Sequence, residues 1–155
     1  MRIATDGTWF YMGTPIGRKP LVRLFASIIK REGDDYFLVT PVEKVGITVD
    51  DAPFVAIDFD VGTADGAPVL TFTTNVGDRV AAGPDNPLRV AFDGDGTPRP
   101  YVLVRRNLEA LIDRKSFYRL VDLGQEQPGP DGAPWFGVHS GGAFFPIVPA
   151  AELAE

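Results

Sequence analysis

The sequence predicts an α+β protein made of two related units packed together, each running strand-strand-helix-strand-strand. Three observations predict it. First, the chain contains an echo of itself: Ile16, Arg18, Lys19, Arg23 and Leu24 recur 96 positions later as Ile112, Arg114, Lys115, Arg119 and Leu120. The apolar spacing recurs with them, since Leu21, Leu24 and Phe25 overlie Phe117, Leu120 and Val121. Second, the same order of strand-like and helix-like stretches can be read around both copies. Third, 17 glycines and 14 prolines are spread between short apolar runs, which is how turns punctuate a strand-rich domain. The division falls after residue 52: residues 1–52 form an N-terminal unit, and residues 53–155 a C-terminal unit enlarged into an antiparallel sheet. Each unit is short for a core of its own, so the two should pack directly on one another, and their seam is the natural place for a cleft.

In chain order, Asp6-Gly7 marks a turn, and Thr8–Met12 is rich in aromatic and β-forming residues and reads as a strand. Gly13-Thr14-Pro15 turns it toward a short strand around Ile16. Arg18–Glu32 is read as a helix because Leu21, Leu24, Phe25, Ile28 and Ile29 form one apolar stripe. Pro20 fits its first turn, Lys30 and Arg31 suit its last, and Gly33 serves as the stop. Asp35–Pro41 and Lys44–Val49 read as a hairpin. Between Pro53 and Phe92 come short strands at roughly ten-residue spacing: Val55–Phe59, Val69–Thr73, Asp78–Ala82 and Leu88–Phe92, with Asp65-Gly66 as a turn. Asp93-Gly94-Asp95-Gly96 is a turn and Tyr101–Val104 a strand. Asn107–Ile112 fits strand or helix by itself, and the echo favours strand. Arg114–Leu123 is the second helix, Gly124–Pro134 a loop, and Trp135–His139 with Ala143–Val148 a hairpin turned at Gly141-Gly142.

Composition excludes several functions. A net charge of −6 argues against binding a nucleic-acid polymer, which calls for a basic stripe. It leaves room for a small anion in a local basic pocket. With no cysteine there is no disulfide, thiolate metal site or cysteine nucleophile. No charged-then-apolar leader opens the sequence, and no apolar run approaches a membrane span, so a cytoplasmic protein without membrane contact is expected.

The chemistry-bearing residues are sparse. His139 and Ser140 are neighbours, but adjacent strand residues face opposite ways, so they make a poor base and nucleophile. Asp58 and Asp60 share a strand face, and two carboxylates could hold Mg²⁺; an ordinary solvent face explains them better. Asp93-Gly94-Asp95-Gly96 lacks the acidic residue that would close a calcium loop, the place being held by Val104. No cofactor motif is present. The basic helix starts Arg18-Lys19 and Arg114-Lys115 are more informative. Cations at that end oppose the helix dipole, so something must compensate: acidic partners, or an anion received by the exposed N–H groups. Arg105, Thr74 and Asn75 lie at strand ends or turns, and Trp9, Tyr11, Tyr101, Tyr118 and Trp135 could stack on a base, although large aromatics in small β-rich domains are usually core.

One set of motifs spans nearly the whole chain: Asp6-Gly7-x-Trp9-x-Tyr11-x-Gly13-x-Pro15-Ile16, Leu38-Val39-Thr40-Pro41-x-Glu43, Ile47-x-Val49-x-Asp51-Ala52-Pro53-Phe54, Thr74-Asn75, Tyr101-Val102-x-Val104-Arg105 and Leu108-Glu109-Ala110-Leu111-Ile112-x-Arg114. Together they resemble the bacterial family called domain of unknown function 1285. The resemblance implies a duplicated architecture whose C-terminal half is loosely like pleckstrin-homology domains. It also implies a cleft between the halves for a nucleotide-like ligand, and a role in signalling. Thr40, Glu43, Lys44, Thr74, Asn75, Arg105 and Arg114 are the matching residues that could line that cleft. The expectation is therefore a ligand-sensing or regulatory module rather than an enzyme, with a signalling protein as a possible partner. Arg18, Arg105 and Arg114 would hold an anion, Thr40, Thr74 and Asn75 would orient it, and Trp9 or Tyr101 would stack on it. The alternatives are a small metal-dependent hydrolase or phosphoryl-handling enzyme using Asp58, Asp60 or Glu43, and an interaction module without a small-molecule site.

Overall fold

Two strand meanders joined at a parallel pair make the first sheet. The computed structural model describes residues 1–153. The N-terminal unit comprises β1 (Arg2–Ile3), β2 (Trp9–Tyr11), β3 (Thr14–Pro15), α1 (Lys19–Ala26), β4 (Ile29–Glu32), β5 (Asp35–Val39) and β6 (Lys44–Val49). Its sheet order is β3-β2-β1-β6-β5-β4, with β1 and β6 parallel at the centre and every other pair antiparallel.

The chain continues through β7 (Phe54–Ala64), β8 (Ala67–Thr74), β9 (Arg79–Ala81), β10 (Leu88–Phe92), β11 (Pro98–Arg105) and β12 (Leu108–Ile112). These form a second six-stranded sheet, β10-β11-β12-β7-β8-β9, again with one parallel pair, β7 and β12, at its centre. Then come α2 (Arg114–Asp122) and a three-stranded sheet of β13 (Gln125–Pro128), β14 (Pro134–Ser140) and β15 (Ala143–Pro149), closed by a 3-10 turn at Ala150–Leu153.

The fold is α+β with a duplicated unit. The order β1-β2-β3-α1-β4-β5-β6 recurs as β10-β11-β12-α2-β13-β14-β15, and β4 and β13 lie 96 residues apart, the spacing of the sequence echo. Where β1 and β6 form a parallel ladder, their counterparts β10 and β15 lie side by side, with Leu88 and Val90 facing Pro146 and Ile147. Strands β7–β9 are the addition that enlarges the second copy.

Three expectations need correction. The first helix ends at Ala26, not Glu32. Ser27 donates its hydroxyl to the Leu24 carbonyl at 2.6 Å, and Ile29 then enters β4 opposite Leu38. Sheet burial outweighs the helical stripe there: Ile29 is 1% exposed, while Leu24, which the stripe placed inward, is 60% exposed. Gly33, expected to stop the helix, instead takes φ 62° in the β4–β5 turn. Each copy also has three strands on either side of its helix rather than two. The third on the C-terminal side of α2 is β13, inside the stretch read as a loop; its sequence, Gln-Glu-Gln-Pro, has no strand signal, and pairing with β14 supplies what composition does not.

One core runs through both copies. Ile3, Trp9 and Ile29 pack in a continuous cluster with Phe54, Phe59, Phe72, Val102, Leu108, Leu120 and Val138. Polar contacts fasten the seam. Arg105 donates to the Ala26 carbonyl at the end of α1 (2.9 Å), and its guanidinium lies over the Phe54 ring. Asp51 accepts from Arg99 at 2.6 Å and from the Tyr101 hydroxyl at 2.5 Å. Asn75 bonds the Val55 N–H at 3.0 Å through its side-chain oxygen and reaches the Gly7 carbonyl at 3.4 Å. Gly7 has φ 90°, and a Cβ there would come within 2.6 Å of the Asn75 amide nitrogen, so only glycine lets the halves meet this closely.

Candidate functional site

Two grooves open along the seam. The larger, of about 510 Å³, has Thr5 of the N-terminal unit on one wall. Its other walls are Thr97–Pro100 of β11 and its approach, Leu111–Arg114, and Phe117 and Tyr118 of α2. The smaller, of about 220 Å³, lies against α1 between Gly7–Trp9, Ile16, Gly17, Lys19, Val22, Arg23 and Asn75.

Arg114 opens α2 because Asp113 caps the helix: its carboxylate accepts from the Ser116 N–H at 3.0 Å. The cap uses that carboxylate locally, and its other oxygen sits 3.2 Å from Lys115. Arg114 itself has no carboxylate partner among the described residues, so its charge is available to the groove. Arg99, across from it, is held between Asp93 (2.9 Å) and Asp51 (2.6 Å), and Asp93 keeps its guanidinium firmly protonated. Tyr118 is 61% exposed and offers a ring face at the groove's edge. Behind this wall, burial, and then the bond donated to Asp51, push the Tyr101 phenol up to about 12.

Of the expected binding residues, Arg114 lines the larger groove and Asn75 the smaller. The others lie elsewhere. Arg18 is exposed at the N-cap of α1. Thr40, Glu43 and Lys44 belong to the β5–β6 turn, where the Thr40 hydroxyl accepts from the Glu43 N–H at 3.1 Å and Lys44 pairs with Glu32 at 2.7 Å. Thr74 is buried, its hydroxyl accepting from the Asp78 N–H at 3.1 Å in the β8–β9 turn. Arg105 is spent on Ala26, and Tyr101 is covered by the Arg89 guanidinium 4.4 Å from its ring. Trp9 is 1% exposed and stacks on Phe25, so no base can reach its face. Sequence reading missed Thr5 and Arg99. Thr5 carries no motif, and Arg99 sits between two prolines with nothing nearby to mark its two carboxylate partners. Only the register of β10 against β11 and the meeting of the halves bring those together.

The carboxylates proposed for a metal are otherwise engaged. Asp58 pairs with Arg119, whose hydrogen bond holds the carboxyl below the usual carboxylate range, and Asp60 pairs with Arg79 at 2.9 Å. Among the described residues, no three His, Asp or Glu side chains gather closely enough to share a metal ion, and no helix is long and apolar enough to cross a membrane. His139 packs against Phe144, and Ser140, fully buried, donates to the Ala82 carbonyl and accepts from the Leu70 N–H, both at 2.8 Å.

Two family models divide the chain between them. Residues 1–52 match the N-terminal domain of unknown function DUF1285, and residues 53–147 match the C-terminal domain of the same family. The chain belongs to the DUF1285 family. Two solved DUF1285 structures resemble it. One, from Silicibacter pomeroyi DSS-3, is 61% identical, with a TM-score of 0.91 over 100% of this chain and 82% of its own. The other, from Shewanella baltica OS155, is 30% identical, with a TM-score of 0.62 over 78% of this chain and 89% of its own. No curated protein matches the chain.

Proposed function

We propose that this DUF1285 protein is a ligand-binding regulatory module that takes an anionic, nucleotide-like small molecule into the larger seam groove. The observation that carries the reading is Arg114, a cation without a carboxylate partner among the described residues, set at the start of α2 beside the exposed ring of Tyr118. A phosphate has what it needs there: the Arg114 guanidinium, and the N–H groups at the start of α2 that the Asp113 cap leaves free. A base or other flat group can lie on Tyr118, and Thr5 and Thr97 offer hydroxyls to orient it. Because the walls come from both halves, a ligand that fits the groove favours one relative arrangement of them, which suits signal transduction in the cytoplasm.

The test is a thermal-shift screen of the protein against nucleotides, cyclic dinucleotides and sugar phosphates. A ligand at about a hundred times its dissociation constant adds roughly 2.7 kcal/mol, a shift of several degrees for a chain of this size. A hit should be lost in Arg114→Ala and weakened in Tyr118→Ala, with the unliganded melting temperature nearly unchanged because neither side chain is buried. A panel without any shift, or a hit indifferent to Arg114→Ala, overturns the reading.

A further inference from the structure

The duplication lets one copy show what the other lacks. Lys115 and Arg119 sit one turn apart on α2, and both grip the same stretch of β7. Lys115 donates to the Ile57 carbonyl, and Arg119 pairs with the Asp58 carboxylate and donates to the Phe59 carbonyl at 3.0 Å. Two cations four residues apart thus hold three consecutive residues of extended chain, carbonyl, carboxylate, carbonyl. Their counterparts in the echo are Lys19 and Arg23, also one turn apart, on α1.

Neither Lys19 nor Arg23 has a carboxylate or carbonyl partner among the described residues, and α1 has no acidic residue in its first turn. Both instead line the smaller groove, which is open and also has Ile16, Gly17, Thr8 and Asn75 on its walls. The neighbouring strands differ in the same sense. In the second copy β12 pairs in parallel with β7, the strand that supplies Ile57–Phe59. In the first copy its counterpart, β3, is the edge of its sheet. Pro15 in β3 has no N–H to donate to an added strand, so whatever lies there must be held chiefly by side chains.

We infer that the groove at Lys19 and Arg23 is a docking site for an extended, acidic segment of a partner protein, which takes the place beside α1 that Ile57–Phe59 takes beside α2. Lys19 and Arg23 bind a carboxylate and its flanking carbonyls, as Lys115 and Arg119 do. The site is separate from the Arg114 groove, so it stands or falls apart from the ligand proposed there.

The probe is a fluorescein-labelled peptide with the sequence Phe-Val-Ala-Ile-Asp-Phe-Asp, that of residues 54–60. Its binding to the full chain is followed by anisotropy. Lys19→Gln and Arg23→Gln should each weaken it by about tenfold, as expected for losing a charge-assisted bond to a carboxylate. A peptide with Asn at its first Asp should bind correspondingly more weakly to the unaltered protein. The melting temperature of both variants should be nearly unchanged, since neither side chain makes a hydrogen bond or ion pair among the described residues and Arg23 only lies against Gly77 of the β8–β9 turn. The inference is overturned by absence of binding, by equal binding of the Asn peptide, or by variants that bind normally. It is overturned equally if either variant lowers the melting temperature by several degrees, or if inorganic phosphate at low millimolar concentration displaces the peptide completely, which would make the groove a simple anion site.

Discussion

Arg105 and Arg114 look alike in the sequence, each following an apolar strand, yet they do opposite things. Arg105 spends its guanidinium on the Ala26 carbonyl and the face of Phe54, closing the C-terminal end of α1 where a cation is favourable. Arg114 is left open because Asp113, beside it, is consumed as a helix cap. Arg105 is decided by what the other half of the molecule presents to it, and no local motif encodes that. Tyr101 shows the same dependence and gives a pH prediction. Its phenol is raised to about 12 by burial and by its bond to Asp51, against an ordinary value near 10. Between those values the unfolded chain loses the proton first and so binds fewer protons than the folded one. The linkage relation then makes stability fall as pH rises from about 10 to 12, while below 10 this group is protonated in both states and its contribution is fully present. Urea unfolding across pH 9–12 should show a decline that is smaller in Tyr101→Phe than in the unaltered protein. Equal slopes would mean that other groups carry the alkaline loss.

Strands and helices were legible in proportion to how local their causes are. β6 (Lys44–Val49) and β10 (Leu88–Phe92) begin and end where alternation and turn residues put them, and α2 runs from its Asp113 cap to within a residue of its expected end. The first helix was overextended because Ile28 and Ile29 continue its stripe in phase, and only their pairing partner across the β4–β5 turn decides against it. β13 was missed for the complementary reason: its polar residues pair with β14, whose aromatic side chains provide the burial. That arrangement makes a prediction about Gly124, just before β13. A Cβ at Gly124 would lie 1.9 Å from the ring of Phe136 on β14, so the ring packs on bare backbone there. Gly124→Ala must displace Phe136, and overpacking of this kind costs about 1–3 kcal/mol. A urea midpoint within error of the unaltered protein would show that β13 can shift away without cost.

At the scale of the whole molecule, the question is whether the N-terminal unit is a domain or only a repeat. It has a complete six-stranded sheet, which suggests autonomy, but the ladder joining its two meanders, β1 with β6, is only two residues long on the β1 side. Its fully buried residues Ile3, Trp9 and Ile29 belong to the same cluster as Phe54, Val102 and Leu108 of the other unit. Its helix contributes only Ala26 to full burial, and the carbonyl of that residue is satisfied by Arg105 from across the seam. Separating the units would expose the apolar side of the seam on the smaller piece, leave Asp51 without Arg99 and Tyr101, and leave the Gly7 carbonyl without Asn75. A chain of about 50 residues has too little buried surface to absorb those losses against the entropy of ordering its backbone. Residues 1–52 expressed alone should therefore show no sigmoidal transition on heating or in urea, and their amide protons should exchange at rates near those of an unfolded chain. Adding a separately expressed 53–155 fragment should restore protection if that fragment is itself folded. A cooperative transition in the short fragment by itself would instead make the seam a contact between two finished domains, free to open and close as units.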